Sequence, residues 1–230
     1  MAKSEHAGKK GRIVYRWLFY ITGMITLALG IVLNTKSRLG MAPILSGMFC
    51  LSEIFGWNFS NLTLIYYTIL VAAQFALRGK NYRLADLLQI PLSVVFTRFM
   101  DLFSSAITYV PEALWQKLLI AALAVVATGV GITMAVNMDI LLNPGDGIVQ
   151  AISDRSGLSL GMSKNLFDGG SALFSVALGL ILRGRLVGVG VGTIINVVFV
   201  GRVVALCTWL FKDKMMRLAF GGASAGMRAE

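Results

Sequence analysis

The sequence predicts an all-α, polytopic membrane protein. It should have about six transmembrane helices in two inverted three-helix repeats, each with a proline-broken short or re-entrant helix. Three observations predict this. Of 230 residues, 57% are hydrophobic and 14% charged, with a mean hydropathy of +0.76, where soluble domains carry about a quarter charged residues. Apolar runs recur at 13–34, 61–77, 84–109, 116–138, 164–182 and 187–211, most near the ~20 residues that cross ~30 Å of hydrocarbon. Finally, residues 28–57 lie over 129–158 without a gap, placing Gly30 on Gly131, Ile31 on Ile132, Pro43 on Pro144 and Gly56 on Gly157.

The chain begins with a basic tail, 1–12, carrying Lys3, Lys9, Lys10 and Arg12. The first apolar run is longer than a signal-peptide core and has a counterpart in the second half, so it is expected to be retained. Pro43 interrupts the helix after that run, because it lacks a donor N–H and crowds the preceding turn. A short helix over 44–55 is expected next; its 12 residues rise only about 18 Å. The second span should start at or before Asn61, and with the third it completes a first membrane repeat, 13–110. The second repeat, 111–211, runs the same way: a span, a break at Pro144, a short helix over 145–156, and two more spans before a tail at 212–230. Four residues inserted in the second half bring "LRG" at 77–79 onto "LRG" at 182–184, and one residue fewer brings Arg98 onto Arg202.

Three spans per repeat is an odd number, so the second copy should enter the bilayer from the opposite side. The charges agree. With the N-terminus inside, fourteen Lys and Arg fall on the cytoplasmic side against five outside, the asymmetry that orients membrane spans. Both termini are therefore expected in the cytoplasm, with the protein in the cytoplasmic (inner) membrane. The net charge of +10 is read as topology, not as a nucleic-acid footprint, so no nucleic-acid partner is expected.

Catalysis has little support. His6 is the one histidine, Cys50 and Cys207 are far apart, and no Ser-His-Asp, paired-carboxylate or metal-ligand spacing occurs. The chain is read as a non-enzyme without cofactor or metal. "VGVGVGTIIN" (187–196) contains GxGxG but has no preceding strand and no phosphate-loop lysine; it is read as small residues that let helices approach closely.

Inverted repeats with broken helices are a recurrent plan of secondary transporters, whose site lies near the midplane at the repeat interface. The broken segments have two readings, half-helices re-entering the membrane and amphipathic helices lying on its surface. In the first, two N-termini present free N–H groups and partial positive charge to a polar or anionic group, and Pro43, Ser46, Pro144 and Asp146 become site candidates. Asp146 could equally serve as an acid favoured by its own helix dipole. Ionisable groups inside spans need a partner or a cavity. Arg98 and Asp101 lie three apart and can pair locally. Arg202 has no acid in the equivalent place, so it either anchors an anion or snorkels to the interface. Asn165 and Asp168 share a face of the fifth span, and Asn196 sits in the sixth. The function expected is transport or export of a small polar or anionic solute; the alternative is a non-transporting membrane protein that assists a biosynthetic or envelope complex. The partners expected are the lipid bilayer and a small-molecule solute, with a homodimer as the assembly to test.

"RLGMAPI", "LNPGDGIVQAISDRSGLSLG" and "VGTIINVVFVGRVV" resemble segments of the YczE/YyaS/YitT-like bacterial integral membrane proteins, over residues 13–211. The family's G-x-[SA]-P turn corresponds to Gly40–Pro43, and its G-T-x-x-N…G run to Gly192, Thr193, Asn196 and Gly201. Its Trp-Asp after the first proline is replaced here by Ile44 and Leu45, and Pro-x-Asp survives only at Pro144 and Asp146. The resemblance implies a multi-pass cytoplasmic-membrane protein and leaves the activity undefined.

Overall fold

The computed structural model describes residues 2–79 and 82–220, with side chains from Ile13 onward. Among them eight α-helices form: α1 Ala2–Ser37, α2 Pro43–Phe55, α3 Phe59–Arg78, α4 Gln89–Ala106, α5 Leu114–Val136, α6 Pro144–Ser156, α7 Leu160–Arg183 and α8 Val191–Phe220, with a 3-10 turn at Leu84–Leu88 before α4. Six are long and apolar enough to cross a membrane, and α2 and α6 are the short pair. Helix continues back through the basic segment to Ala2 and forward through residues 212–220, where nothing breaks the helical hydrogen-bond ladder; residues 221–230 of the expected tail lie outside the described residues.

The duplication is visible in the backbone. Arg38 and Asp139, 101 positions apart, both adopt the left-handed conformation, with φ of 57° and 48°. Five residues later Pro43 and Pro144 open α2 and α6 at the first helical position, where a missing N–H costs nothing. Gly56 and Gly157 end them in the left-handed region, with φ of 70° and 72°, each donating its N–H back to a serine carbonyl, of Ser52 and Ser153. The four-residue insertion lies inside α7, which ends at Gly184 as α3 ends at Gly79.

At the centre α1 and α5 cross with their backbones in contact. A Cβ on Gly30 would stand 2.6 Å from the Thr128 nitrogen, and one on Gly131 would stand 2.5 Å from the Leu27 nitrogen. Gly30 and Gly131 are repeat counterparts, as are Leu27 and Thr128, so the crossing repeats itself when the halves are exchanged. The same holds for other pairs: α2 packs on α7 as α6 packs on α3, and α1 on α4 as α5 on α8. Two pairings break the pattern, α3 on α4 and α1 on α8. α3 packs along α4, whereas α7 has no comparable packing against α8, which leans instead on α5 and α1.

The glycine run at 187–190 departs from the expectation. It precedes α8 and lies outside any helix. Gly188 accepts from the Met41 N–H at 2.9 Å, and Leu39 accepts from the Gly192 N–H at 2.7 Å. Side chains at Gly188 or Gly190 would collide with the backbone of Ser46 or Leu39. The glycines let the irregular segment before α8 press on the turn at Leu39 and on the first turn of α2, instead of bringing two helices together.

The early part of α1 and the end of α8 lie on one face of the bundle, called here the terminal face, where the Arg16 guanidinium lies 4.6 Å from the Phe220 ring centre and donates to the Met138 carbonyl at 2.9 Å. The main apolar core fills the space between α1, α2, α3, α4 and α6, around Val32, Leu45, Tyr67, Phe96, Met100 and Ile148.

Candidate functional site

The depth of the short helices decides between the two readings of the broken segments. From the Gly30 crossing to Ser37, α1 rises only about 10 Å, and the five residues 38–42 can span as much as about 17 Å when extended. The chain uses that reach to turn back into the bundle. In the first turn of α2, the Ser46 hydroxyl lies 3.5 Å from the Ser171 carbonyl and Gly47 faces Phe174, residues midway along α7. The far end of α2 is level with the end of α7, where Arg183 donates to the Ile54 carbonyl at 2.9 Å. Likewise the Pro144 carbonyl accepts from Gln74 of α3 at 3.2 Å, Tyr67 neighbours Asn143 and Asp146, and Asp154 reaches Arg78 at the end of α3 at 3.5 Å. Both half-helices therefore start inside the bundle and run outward to opposite faces. Their N-termini meet: a Cβ on Gly145 would collide with Ile44, and these two residues are repeat counterparts.

Polar groups gather at this meeting. Asn143 caps α6 by accepting from the Gly145 N–H at 3.0 Å. α2 has no side-chain cap and no acid in its first turn; Ser46 is fully buried and donates to the Pro43 carbonyl at 2.7 Å. Asp146 projects from the first turn of α6 within electrostatic range of Lys164 and Asp168 of α7, which pair with each other at 3.1 Å. Tyr66 and Tyr67 of α3 complete the surroundings, Tyr66 beside Ser171 and Asp168. Behind the cluster, buried Gln74 and Gln89 exchange two hydrogen bonds of 3.2 Å.

Between this cluster and the terminal face a cavity of about 670 Å³ opens, lined by Arg78, Arg83, Asp86, Gln150, Asp154 and Arg155 among others. Its size lies in the range of small-molecule pockets. Arg78 crosses it, 3.2 Å from Asp86 and 3.5 Å from Asp154. At its edge burial raises the Tyr82 phenol above its ordinary pKa, with Asp86 adding to the shift and Arg78 opposing it.

Of the sequence candidates, Pro43, Ser46, Pro144, Asp146 and Asp168 come together here. Asn165, one residue beyond Lys164, is on the exposed side of α7. Arg98 and Asp101 form a local pair at 2.9 Å, tied to α3 by Asn61 and Asn58, far from the half-helix meeting. Arg202 stands on the exposed face of α8 with its guanidinium 5.5 Å from the Phe199 ring centre, and α8 packs on α5 and α1, so it too lies apart. Asn196 belongs to a junction: it accepts from Asn34 at 2.8 Å and donates to the Gly192 carbonyl at 2.7 Å. Gly40, with φ of 116°, is pressed against Gly190 and Thr193. The Gly40–Pro43 turn and the Gly192–Asn196 run, read separately from the sequence, are thus two sides of one joint that seats the N-terminus of α2. The contributions of Lys164, Tyr66 and Tyr67 were missed, since a lysine near a helix start and tyrosines in an apolar span read as topology and core. Among the described residues no group of three His, Cys, Asp or Glu could hold a metal ion.

Residues 14–208 match a family described as "Family of unknown function (DUF6198)". The chain belongs to this family. It is also 26% identical to the "Uncharacterized membrane protein YczE" of Bacillus subtilis (strain 168), over 76% of this chain and 86% of the relative. No solved structure matches. Membership accords with the resemblance of the Gly40–Pro43 and Gly192–Asn196 motifs, which in this member of DUF6198 form one joint.

Proposed function

We propose that this protein is a secondary transporter or exporter of a small polar or anionic solute, in the cytoplasmic membrane with both termini in the cytoplasm and the two halves inverted. The observation that carries the reading is the meeting of two half-helix N-termini inside the bundle, Ile44 against Gly145. Irregular backbone at membrane depth is tolerated only where protein or a watery cavity satisfies it, and free helix N-termini are natural partners for acceptor atoms. The start of α2 has no side-chain cap, whereas that of α6 is served by Asn143. The cavity supplies a mouth on the terminal face, and Arg78 with its two acids supplies a closure between mouth and cluster. No step of this reading is catalytic.

Reconstitution in liposomes tests it. Counterflow of labelled solute should be found within a panel of anions and amino acids, and Ser46→Val should reduce it at least tenfold. The exposed outward face of α8 with Arg202 favours a second reading, a non-transporting membrane protein that docks on a larger complex. A stoichiometric co-purifying partner, with no flux for any panel member, would replace the first reading by the second.

A further inference from the structure

We propose that the cavity toward the terminal face is a binding site for a phosphate group, held by the guanidiniums of Arg83 and Arg155. The site goes beyond the transport reading above and does not depend on it.

Three arginines line this cavity of about 670 Å³, and they differ in what they already hold. Arg78 is committed. It lies 3.2 Å from Asp86 and 3.5 Å from one oxygen of Asp154, whose other oxygen accepts from Gln150 at 2.8 Å. Asp139, the third acid of the lining, has a partner of its own. Arg83 precedes the 3-10 turn and Arg155 lies in the last turn of α6. Among the described residues neither of these two guanidiniums has an ion pair. Close by, the Arg78 Nε–H and the Tyr82 hydroxyl are buried without a partner among the described residues. The acids here are engaged while donors are left over, and a buried donor without an acceptor is costly. An anion in the cavity supplies the missing acceptors.

The donors also indicate which anion. One guanidinium fork fills a carboxylate, whereas a phosphate has oxygens for two forks at once. Leu77, Val136 and Leu142 make part of the lining apolar, a surface for the organic remainder of the molecule. The 3-10 turn beside Arg83 exposes Leu84, Leu87 and Leu88, side chains that suit the boundary between hydrocarbon and headgroups. At that level the phosphate has two sources, a lipid headgroup and a soluble organic phosphate, which present the same oxygens. Basic residues beside a membrane also orient its spans, but that role needs charge alone and lysine would serve it equally. A phosphate site needs the planar fork.

The full chain in maltoside detergent, stripped of phospholipid, is tested in two arms. In one, labelled glycerol 3-phosphate is offered by equilibrium dialysis. In the other, micelles are doped with phosphatidylglycerol, and native mass spectrometry counts the lipid retained after washing. About one ligand per chain is expected in at least one arm; the soluble arm alone supports a small-molecule site, and the lipid arm alone a headgroup site. Arg83→Gln and Arg155→Gln should each weaken binding by about tenfold or more. Arg83→Lys and Arg155→Lys should weaken it by about threefold or more, because the charge stays and the fork is lost. Arg217→Gln, in the last turn of α8 and outside the cavity lining, should change it by less than about twofold. Arg83 and Arg155 are exposed, so all four variants should fold, as thermal unfolding in detergent checks. No binding in either arm, Lys variants equal to wild type, or an equal loss in Arg217→Gln overturns the proposal. Neither arm measures flux, so binding without flux would refute transport alone, and flux without binding would refute this site alone.

Discussion

Gly131→Ala adds one methyl at the place where α1 and α5 touch. The new Cβ would stand 2.5 Å from the Leu27 nitrogen, 2.7 Å from the Gly23 carbonyl oxygen and 2.8 Å from the Leu27 Cα. All three are backbone atoms, so no rotamer can relieve the clash. The helix axes must separate by about 1 Å to restore van der Waals distance, and a gap of that size forfeits a quarter to a half of each contact's attraction along the interface. We expect a loss of roughly 2–3 kcal/mol, at the upper end of overpacking costs. Gly30→Ala meets Thr128 in the same way and should cost about as much. The double variant should cost clearly less than the sum, because one separation of the helices accommodates both methyls. Gly169→Ala is the control: nothing lies within 4 Å of its added Cβ, and alanine favours helix by up to about 1 kcal/mol. Unfolding by denaturing detergent in mixed micelles gives the free energies. Losses below about 0.5 kcal/mol, or full additivity of the pair, would refute the backbone-contact argument.

Gln74→Leu leaves Gln89 buried without its partner and should destabilise by about 1–2 kcal/mol, whereas Gln74→Leu with Gln89→Leu should recover part of that loss; the same unfolding assay reads the cycle. Asn196→Ala removes the acceptor of Asn34 and should loosen the seat of α2, visible as faster cysteine labelling at a Met41→Cys reporter in an otherwise cysteine-free background. Arg202→Gln and Arg202→Lys, both outside the half-helix cluster, should leave solute passage within about twofold of wild type once a solute is found; a tenfold fall, about 1.4 kcal/mol, would return Arg202 to the site. Reporter fusions at residues 80 and 160 should read cytoplasmic and those at 112 and 184 periplasmic; the same side at 80 and 184 would end the inverted arrangement.

What could be read from the sequence was what a single residue decides locally. Pro43 and Pro144 cannot sit inside a smooth helix, so the breaks, the spacing of 101 and the short helices were legible, the helices read as 12 residues after each proline and found as 13 that include it. Gly56 and Gly157 marked the ends for the same reason. Depth was not legible, because amphipathic surface helices and re-entrant half-helices use the same composition; only the register of Ser46 against Ser171 separates them. Orientation around a helix axis was equally hidden on α8, where Val197, Val198, Phe199 and Val200 place apolar residues on every side. Nothing in that run says that Arg202 faces outward. The Gly188–Gly190 contact with Leu39 and Ser46 is a pairing of distant backbones, which no local pattern encodes.

The crossing of α1 and α5 constrains how the two halves can move. Its contact is backbone on backbone at both Gly30 and Gly131, with no long side chains to extend or compress. Sliding one half past the other would drive these surfaces through positions where side chains such as Leu27 and Thr128 replace glycine. The crossing therefore resists translation of one half past the other.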